Sequence, residues 1–205
     1  MKTRFIFIRH AQSVAHERGI VQGAGVDMRL SERGEKQLSV LRDAVAALTF
    51  DRMFSSTAVR ALETARAIHA AFPSVPYEAS ATLNERSKGE AEGISKEEFA
   101  LRYSHIEEAW RREEDPCIPG GESFADVEAR VMPLVQKHLN EYSGETLLYV
   151  GHGNVFRVIL GSILSVPVAK RARMQKDYCA MSVIEYDHET NRWKLICMNR
   201  PLVDV

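Results

Sequence analysis

A chain of 205 residues is long enough to bury a sizeable core, and residues 1–205 are read as a single domain. Hydrophobic residues at 45% and charged residues at 27% exclude a mostly disordered or fibrous protein. With 27 Lys and Arg against 28 Asp and Glu there is no global basic field, which argues against a nucleic-acid partner and requires any positive site to be local.

The first element is the apolar run Phe5 to Ile8, which ends on Arg9 and His10 as a buried strand would if it delivered a cation and an imidazole at its carboxyl end. No small-residue cleavage signal precedes it and no stretch is long enough to span a bilayer, so a cytoplasmic protein without a membrane partner is expected. A Gly-containing loop, Gly19 to Leu30, leads to Ser31 as N-cap of a helix with Leu38, Leu41, Val45 and Leu48 at helical spacing. Met53 to Ser55 reads as a short strand, and Ser56 or Thr57 opens a second helix through Leu62 and Ile68 until Pro73.

From about Ala79 to Glu122 the rhythm breaks on Gly89, Gly93, Pro116, Pro119, Gly120 and Gly121, the composition of a lid-like insertion near residues 79–122. Within it Ser95 to Glu98 has a capping-box pattern, and Phe99, Tyr103, Ile106 and Trp110 make one apolar helical stripe. Ser123 caps a further helix with Val127, Val131, Leu134 and Val135, in which Pro133 is expected to make a kink. Leu147 to Val150 then repeats the design of the first strand, ending on Gly151, His152 and Gly153. A helix over Gly153 to Leu164 and a hairpin of Met181–Tyr186 with Trp193–Met198 complete the chain. Alternating strands and helices predict an α/β protein: a three-layer α/β/α sandwich with a mainly parallel central sheet and helices on both faces.

Cys117, Cys179 and Cys197 are odd in number and lack CxxC spacing, so neither a disulfide framework nor a zinc knuckle is expected. Two strands that each present a histidine to the crevice at their carboxyl ends, beside helix amides suited to an anion, point instead to an enzyme acting on phosphate. Arg60, in the first turn of its helix, leans back toward the same sheet edge, and its planar fork matches phosphate oxygens. Plainer readings stand beside these: Arg60 pairing with Glu63, Glu85 and Arg86 as a surface turn with an internal ion pair, and Glu122 as favourable charge at the start of the helix capped by Ser123.

Arg9-His10-Ala11, Gln22-Gly23, Leu30-Ser31-Glu32-Arg33-Gly34, Ser55-Ser56 with Arg60-Ala61 and Thr64-Ala65, Leu83-Asn84-Glu85, Gly120-Gly121-Glu122-Ser123 and Gly151-His152-Gly153 together resemble the histidine phosphatase superfamily, in its phosphoglycerate-mutase-like branch, over nearly the whole chain. The resemblance implies that His10 is the nucleophile, that Arg9, Arg60 and His152 clamp the phosphoryl oxygens and that Glu85 is the proton donor. His16, Gln22, Gly23 and Gly153 join Arg9, Arg60 and His152 as the expected substrate-binding set. Neither a metal nor another cofactor is implied. The partner is a small phosphorylated substrate, and a homodimer is compatible with the sequence.

Ala11, Gln12, His16 and Arg29 depart from the usual pattern, and a protonated His16 is expected to replace an amide donor near the phosphate. The leading reading is a phosphatase acting on phosphate monoesters through a phosphohistidine. Alternatives are a phosphoglycerate mutase, for which Trp110-Arg111-Arg112 resembles a fragment of the segment that holds a second phosphate, a non-catalytic phospho-ligand-binding domain, and a metallohydrolase, which Arg9 and Arg60 would disfavour by repelling a divalent cation.

Overall fold

The computed structural model describes residues 1–203; positions 204 and 205, the end of the expected 1–205 domain, lie outside the described residues. Strands β1 (Lys2–Arg9), β2 (Arg52–Ser55), β3 (Tyr77–Ala79) and β4 (Thr146–Gly151) run parallel in the spatial order β3-β2-β4-β1. The antiparallel hairpin β5 (Ala180–Asp187) and β6 (Arg192–Pro201) extends the sheet beyond β1. Parallel neighbours need crossovers, and helices supply them. After the short α1 (Val14–Glu17) come α2 (Glu32–Val45) and α3 (Val59–His69), then α4 (Lys96–Arg102), α5 (Ser104–Arg111), α6 (Phe124–Glu141) and α7 (Gly153–Ile163).

Strand periodicity divides the core in two. Phe5 and Phe7 of β1 with Leu147 and Tyr149 of β4 face α6 and α7, whereas Ile6, Ile8, Leu148 and Val150 face α2 and α3. Both faces of the sheet are thus covered, which is why the strands read as unbroken apolar runs. The three-layer expectation holds, as do the Ser31 and Ser123 caps: Ser31 Oγ accepts the Gly34 amide, and Ser123 forms a full capping box with Asp126.

Local expectations are corrected at several points. β3 was not foreseen, because three residues after a Pro-bounded turn carry too little periodicity. Neither Ser56 nor Thr57 caps α3; Ala58 holds that position without a side-chain bond, and Asp27 from the preceding loop accepts the Val59 amide at 2.8 Å instead. The stripe from Phe99 to Trp110 is two helices, broken where Tyr103 adopts φ −120°, ψ 27°. Ser95 caps α4, but Glu98 pairs with Arg102 at 2.9 Å rather than reaching back. Pro133 lies inside an α6 that continues without interruption. Phe99, Tyr103 and Ile106 close a small separate core with Ala91 and Ile118, so this segment is a packed wall. Among the described residues no helix is long and apolar enough to cross a membrane.

Candidate active site

In the β1–β4 register Arg9 lies opposite Gly151, and the His10 amide donates to the Gly151 carbonyl at 2.9 Å. The two imidazoles that follow these strands are therefore neighbours, with ring centroids 5.1 Å apart, and both are buried. Burial first, then the Arg60 guanidinium, holds each well below the ordinary value of 6.5, so both are neutral at pH 7.

The tautomers follow from their partners. A carbonyl can only accept, so at 2.7 Å from the Ala11 carbonyl His10 carries its proton on Nδ1 and keeps a lone pair on Nε2. His152 is held the other way. The Thr57 amide fixes Asn84 Oδ1 as an acceptor at 3.0 Å; Ser56 Oγ donates to that oxygen at 2.7 Å and accepts the Ala58 amide at 3.1 Å. The remaining lone pair on Ser56 takes Nε2–H of His152 at 2.7 Å, which leaves His152 Nδ1 buried without a partner. Ser56 is unavailable as a helix cap for this reason.

Arg60 is 1% exposed. Its Nη2 donates to the Gly23 carbonyl at 3.1 Å and Nη1 lies 3.5 Å from Asp27, while Nε and Nη1 have no hydrogen-bond partner. Glu63 accepts the Leu30 amide at 2.8 Å, so the Arg60–Glu63 alternative fails. Arg9 stacks its guanidinium 3.8 Å over the Tyr178 ring, donates to the Lys176 carbonyl through Nη1 and leaves Nε unpartnered. Gln22 receives Ser13 Oγ at 2.8 Å and leaves its Nε2 donor free. Buried donors without acceptors are costly, and their concentration here marks an anion site.

Glu85 is 7% exposed, with Oε1 on the Arg86 amide at 2.8 Å and Oε2 3.4 Å from the Asn154 amide at the start of α7. Arg86 is buried as well and makes no ion pair with it, so the surface-turn reading is overturned. Arg130 on α6 donates to the carbonyls of Thr82 and Asn84 at 2.6 and 3.0 Å and is itself held by Glu122 at 2.7 Å. Glu122 also accepts the Ser87 amide at 2.9 Å; its role is therefore to brace the Glu85 segment, not merely to sit at a helix start. Helix amides contribute less to the anion site than expected, since Asp27 occupies the start of α3 and Glu85 that of α7.

These groups border a cavity of about 260 Å³ lined by Arg9, His10, His16, Gln22, Arg60 and Glu85, together with Lys88, Lys96, Phe99, Trp110 and Tyr178. His152, Gly23 and Gly153 lie behind that lining. A Cβ on Gly153 would make only ordinary contact, 3.6 Å from the Arg9 guanidinium, whereas Gly151 is required by the Phe156 ring, 3.0 Å from such a Cβ, and not by a ligand. His16 meets Tyr178 edge-on at 4.8 Å; burial first, then Lys96, lowers its pKa, so it is neutral at pH 7 rather than protonated as expected. Ala11 is fully buried, and the half-buried Gln12 accepts Ser31 Oγ at 2.9 Å, so these departures concern packing. Arg111 and Arg112 are exposed and paired with Glu107 and Glu114.

Glu92 ties the site's two loops together. It accepts the Gly25 and Val26 amides at 2.6 and 2.7 Å and the Lys88 amide at 2.8 Å, and a Cβ on Gly23 would fall 2.2 Å from its Oε1. Among the described residues no group of three or more His, Cys, Asp or Glu side chains is placed to share a metal ion.

The family model described as histidine phosphatase superfamily, branch 1, matches residues 5–199. The chain belongs to that superfamily. This histidine phosphatase is 30% identical over 186 residues to the 2,3-bisphosphoglycerate-dependent phosphoglycerate mutase 2 of Gloeobacter violaceus, covering 88% of this chain and 84% of that one. It is 30% identical to the Rhizobium etli mutase of the same name without the numeral, covering 87% and 88%. Among solved structures it shares the fold of a mycobacterial glucosyl-3-phosphoglycerate phosphatase, with a TM-score of 0.86 at 23% identity over 98% of this chain and 100% of that one. A putative alpha-ribazole-5'-P phosphatase from Escherichia coli aligns with a TM-score of 0.84 at 23% identity over 99% and 98%.

Sequence reasoning had no means of finding Tyr178, which reaches His10 and His16 from the loop before β5, nor Arg130, one arginine among many on helices. Lys88 lay in the 79–122 segment without a motif to single it out as a cleft residue, whereas Trp110, read as the start of a Trp-Arg-Arg fragment, is the one residue of that fragment that lines the cavity.

Proposed function

We propose that this histidine phosphatase is a metal-independent phosphomonoesterase. In the first step Nε2 of His10 bonds to phosphorus as the ester P–O bond breaks, and the Glu85 carboxyl gives its proton to the departing alkoxide. Arg9, Arg60 and Gln22 donate to the charge that spreads over the phosphoryl oxygens, while His152, whose one proton is held by Ser56, packs against His10 rather than clamping an oxygen. In the second step water attacks phosphorus, the N–P bond breaks, and Glu85 takes up the water proton. The observation that carries this reading is the bond from His10 Nδ1–H to the Ala11 carbonyl, which leaves Nε2 as a neutral nucleophile among unpartnered guanidinium donors. Relatives named as phosphatases and as mutases are compatible with the same first step.

Purified protein should release phosphate from p-nitrophenyl phosphate in excess chelator, and His10→Ala should abolish release. Undiminished activity in the variant removes the mechanism.

The curated relatives favour one other reading, a phosphoglycerate mutase. It ranks second because Arg111 and Arg112, whose segment only resembles the one that holds a second phosphate in mutases, are exposed and engaged with Glu107 and Glu114. A coupled assay with 3-phosphoglycerate separates the two: a mutase forms the 2-isomer faster than it frees phosphate.

A further inference from the structure

Between α7 and β5 the chain passes through an irregular segment, residues 174–179, that holds Arg9 from both its side chain and its backbone. The Lys176 carbonyl accepts Arg9 Nη1, the Tyr178 ring lies 3.8 Å beneath the guanidinium, and the Cys179 amide donates to the Arg9 carbonyl at 3.1 Å. A segment outside helix and sheet has no ladder of its own, so its backbone groups must be fixed by other partners. Near the end of β6, Asn199 supplies them. Its Oδ1 accepts the Asp177 amide at 2.7 Å, and its Nδ2 donates to Asp177 Oδ2 at 2.8 Å. A backbone amide can only donate and a carboxylate only accept, so the pair admits one orientation of the Asn199 side chain.

The strand is deformed where that side chain leaves it. Ser182 of β5 lies between the pairs Met181–Arg200 and Val183–Cys197, so Met198 and Asn199 of β6 oppose a single residue. Such a bulge disrupts the ladder and re-aims a side chain. Asn199 takes φ +53°, and its amide donates to Ser182 Oγ at 2.9 Å, the hydroxyl that also receives Lys176 Nζ. Cys179, at the other end of the connection, takes φ +53° as well. Left-handed backbone at residues other than glycine persists where surrounding contacts over-determine it, and it clusters at functional sites.

We propose that Asp177 and Asn199 form a latch that positions Arg9 for the phosphoryl group. Neither residue lines the cavity, whereas Arg9 and Tyr178 do, so the pair acts through the segment it fixes. The need for a latch is electrostatic. Arg60 and Arg157 both oppose the Arg9 charge, and a guanidinium without a fixed carbonyl and ring would swing away from them, out of the site. The proposal rests on the phosphomonoesterase reading only in assigning Arg9 to the phosphoryl oxygens.

The experiment uses the full chain and reads the affinity for inorganic phosphate by calorimetry, kcat/KM for p-nitrophenyl phosphate, and thermal melts. Asn199→Gly removes both side-chain bonds while relieving the left-handed backbone. It should weaken phosphate binding and kcat/KM by about tenfold or more, because a small misplacement of a clamping group is costly. Asp177→Ala, which leaves β6 untouched, should lose in the same direction, so misfolding of Asn199→Gly would not shelter the latch. The reversed pair, Asp177→Asn with Asn199→Asp, offers the same two bonds with the polarity of one exchanged and should recover binding to within about threefold of the wild type. Arg9→Lys keeps the charge but has no planar fork for the Lys176 carbonyl and the Tyr178 ring. In that background Asn199→Gly should change phosphate affinity by less than about twofold, the coupling that a purely structural role would not produce. Phosphate affinity unchanged in folded Asn199→Gly and Asp177→Ala, an equal loss with and without Arg9→Lys, or no phosphate binding by the wild type overturns the latch. A wild type that binds phosphate but does not hydrolyse p-nitrophenyl phosphate sinks the phosphomonoesterase reading alone, because the phosphate titrations still report on Asp177 and Asn199.

Discussion

Ser56 accepts the Nε2 proton of His152 because its own proton is committed to Asn84. One hydroxyl thereby sets the tautomer of an imidazole that sits against His10. Ser56→Ala removes the anchor and leaves Nε2 without a partner, at a cost of about 1–3 kcal/mol for a buried polar group. If that cost falls on the transition state, kcat/KM should drop by roughly 10–100-fold, with Ser56→Thr recovering most of the loss. Steady-state kinetics on all three proteins check this, with circular dichroism to confirm folding.

Arg130 bears on Glu85 through the backbone. Arg130→Ala frees the carbonyls of Thr82 and Asn84 and strands Glu122, so both stability and the placement of Glu85 should suffer. The expected signature is a fall in kcat larger than any rise in KM, together with about 1–3 kcal/mol lost in urea unfolding. Unchanged kcat with full stability would show that the brace is ornamental.

Activity and stability should respond differently to acid. Because His10 is held well below 6.5, Nε2 stays unprotonated at pH 6.5 and below it, and kcat/KM should remain level from pH 8 through pH 6 before falling. For stability, the unfolded chain binds protons at these histidines below pH 6.5 when the native protein does not. His10, His152 and His138, the last held at about 4 by burial, therefore cost nothing above pH 6.5 and weaken the fold as pH drops below it. Lys176, held by burial at about 7 against an ordinary 10.5, has the same sign at higher pH, weakening the fold as pH falls from 10.5 to 7. Thermal melts across pH 4–9 should show Tm declining toward acid while activity at pH 6 is retained.

Gly151→Ala tests the sheet beneath the site. The new methyl would press the Phe156 ring at 3.0 Å, an overpacking expected to cost about 1–3 kcal/mol. Phe156→Leu in the same chain should recover part of the loss, as a double-mutant cycle would record.

What could be read from residues alone follows a physical divide. Strand ends at His10 and His152 were legible because an apolar run that stops on a charge has few other meanings, and adjacent parallel strands then bring the two rings together. Arg60 was legible because helix geometry points it back toward the sheet edge. Tyr178 was not, since its loop reaches His10 only through the antiparallel turn of β5 onto β1, a tertiary event with no local pattern. The helical stripe from Phe99 to Trp110 kept its apolar spacing while Tyr103 broke the backbone, because both halves pack into the same small core.

The carboxylate of Glu92 fastens the segment around Gly25 to the one around Lys88, so the two flanks of the cleft move, and mutate, as a single part. Divergence toward new esters is then constrained to paired changes. Directed-evolution libraries that diversify both flanks together should yield altered selectivity more often than libraries of equal size confined to either flank.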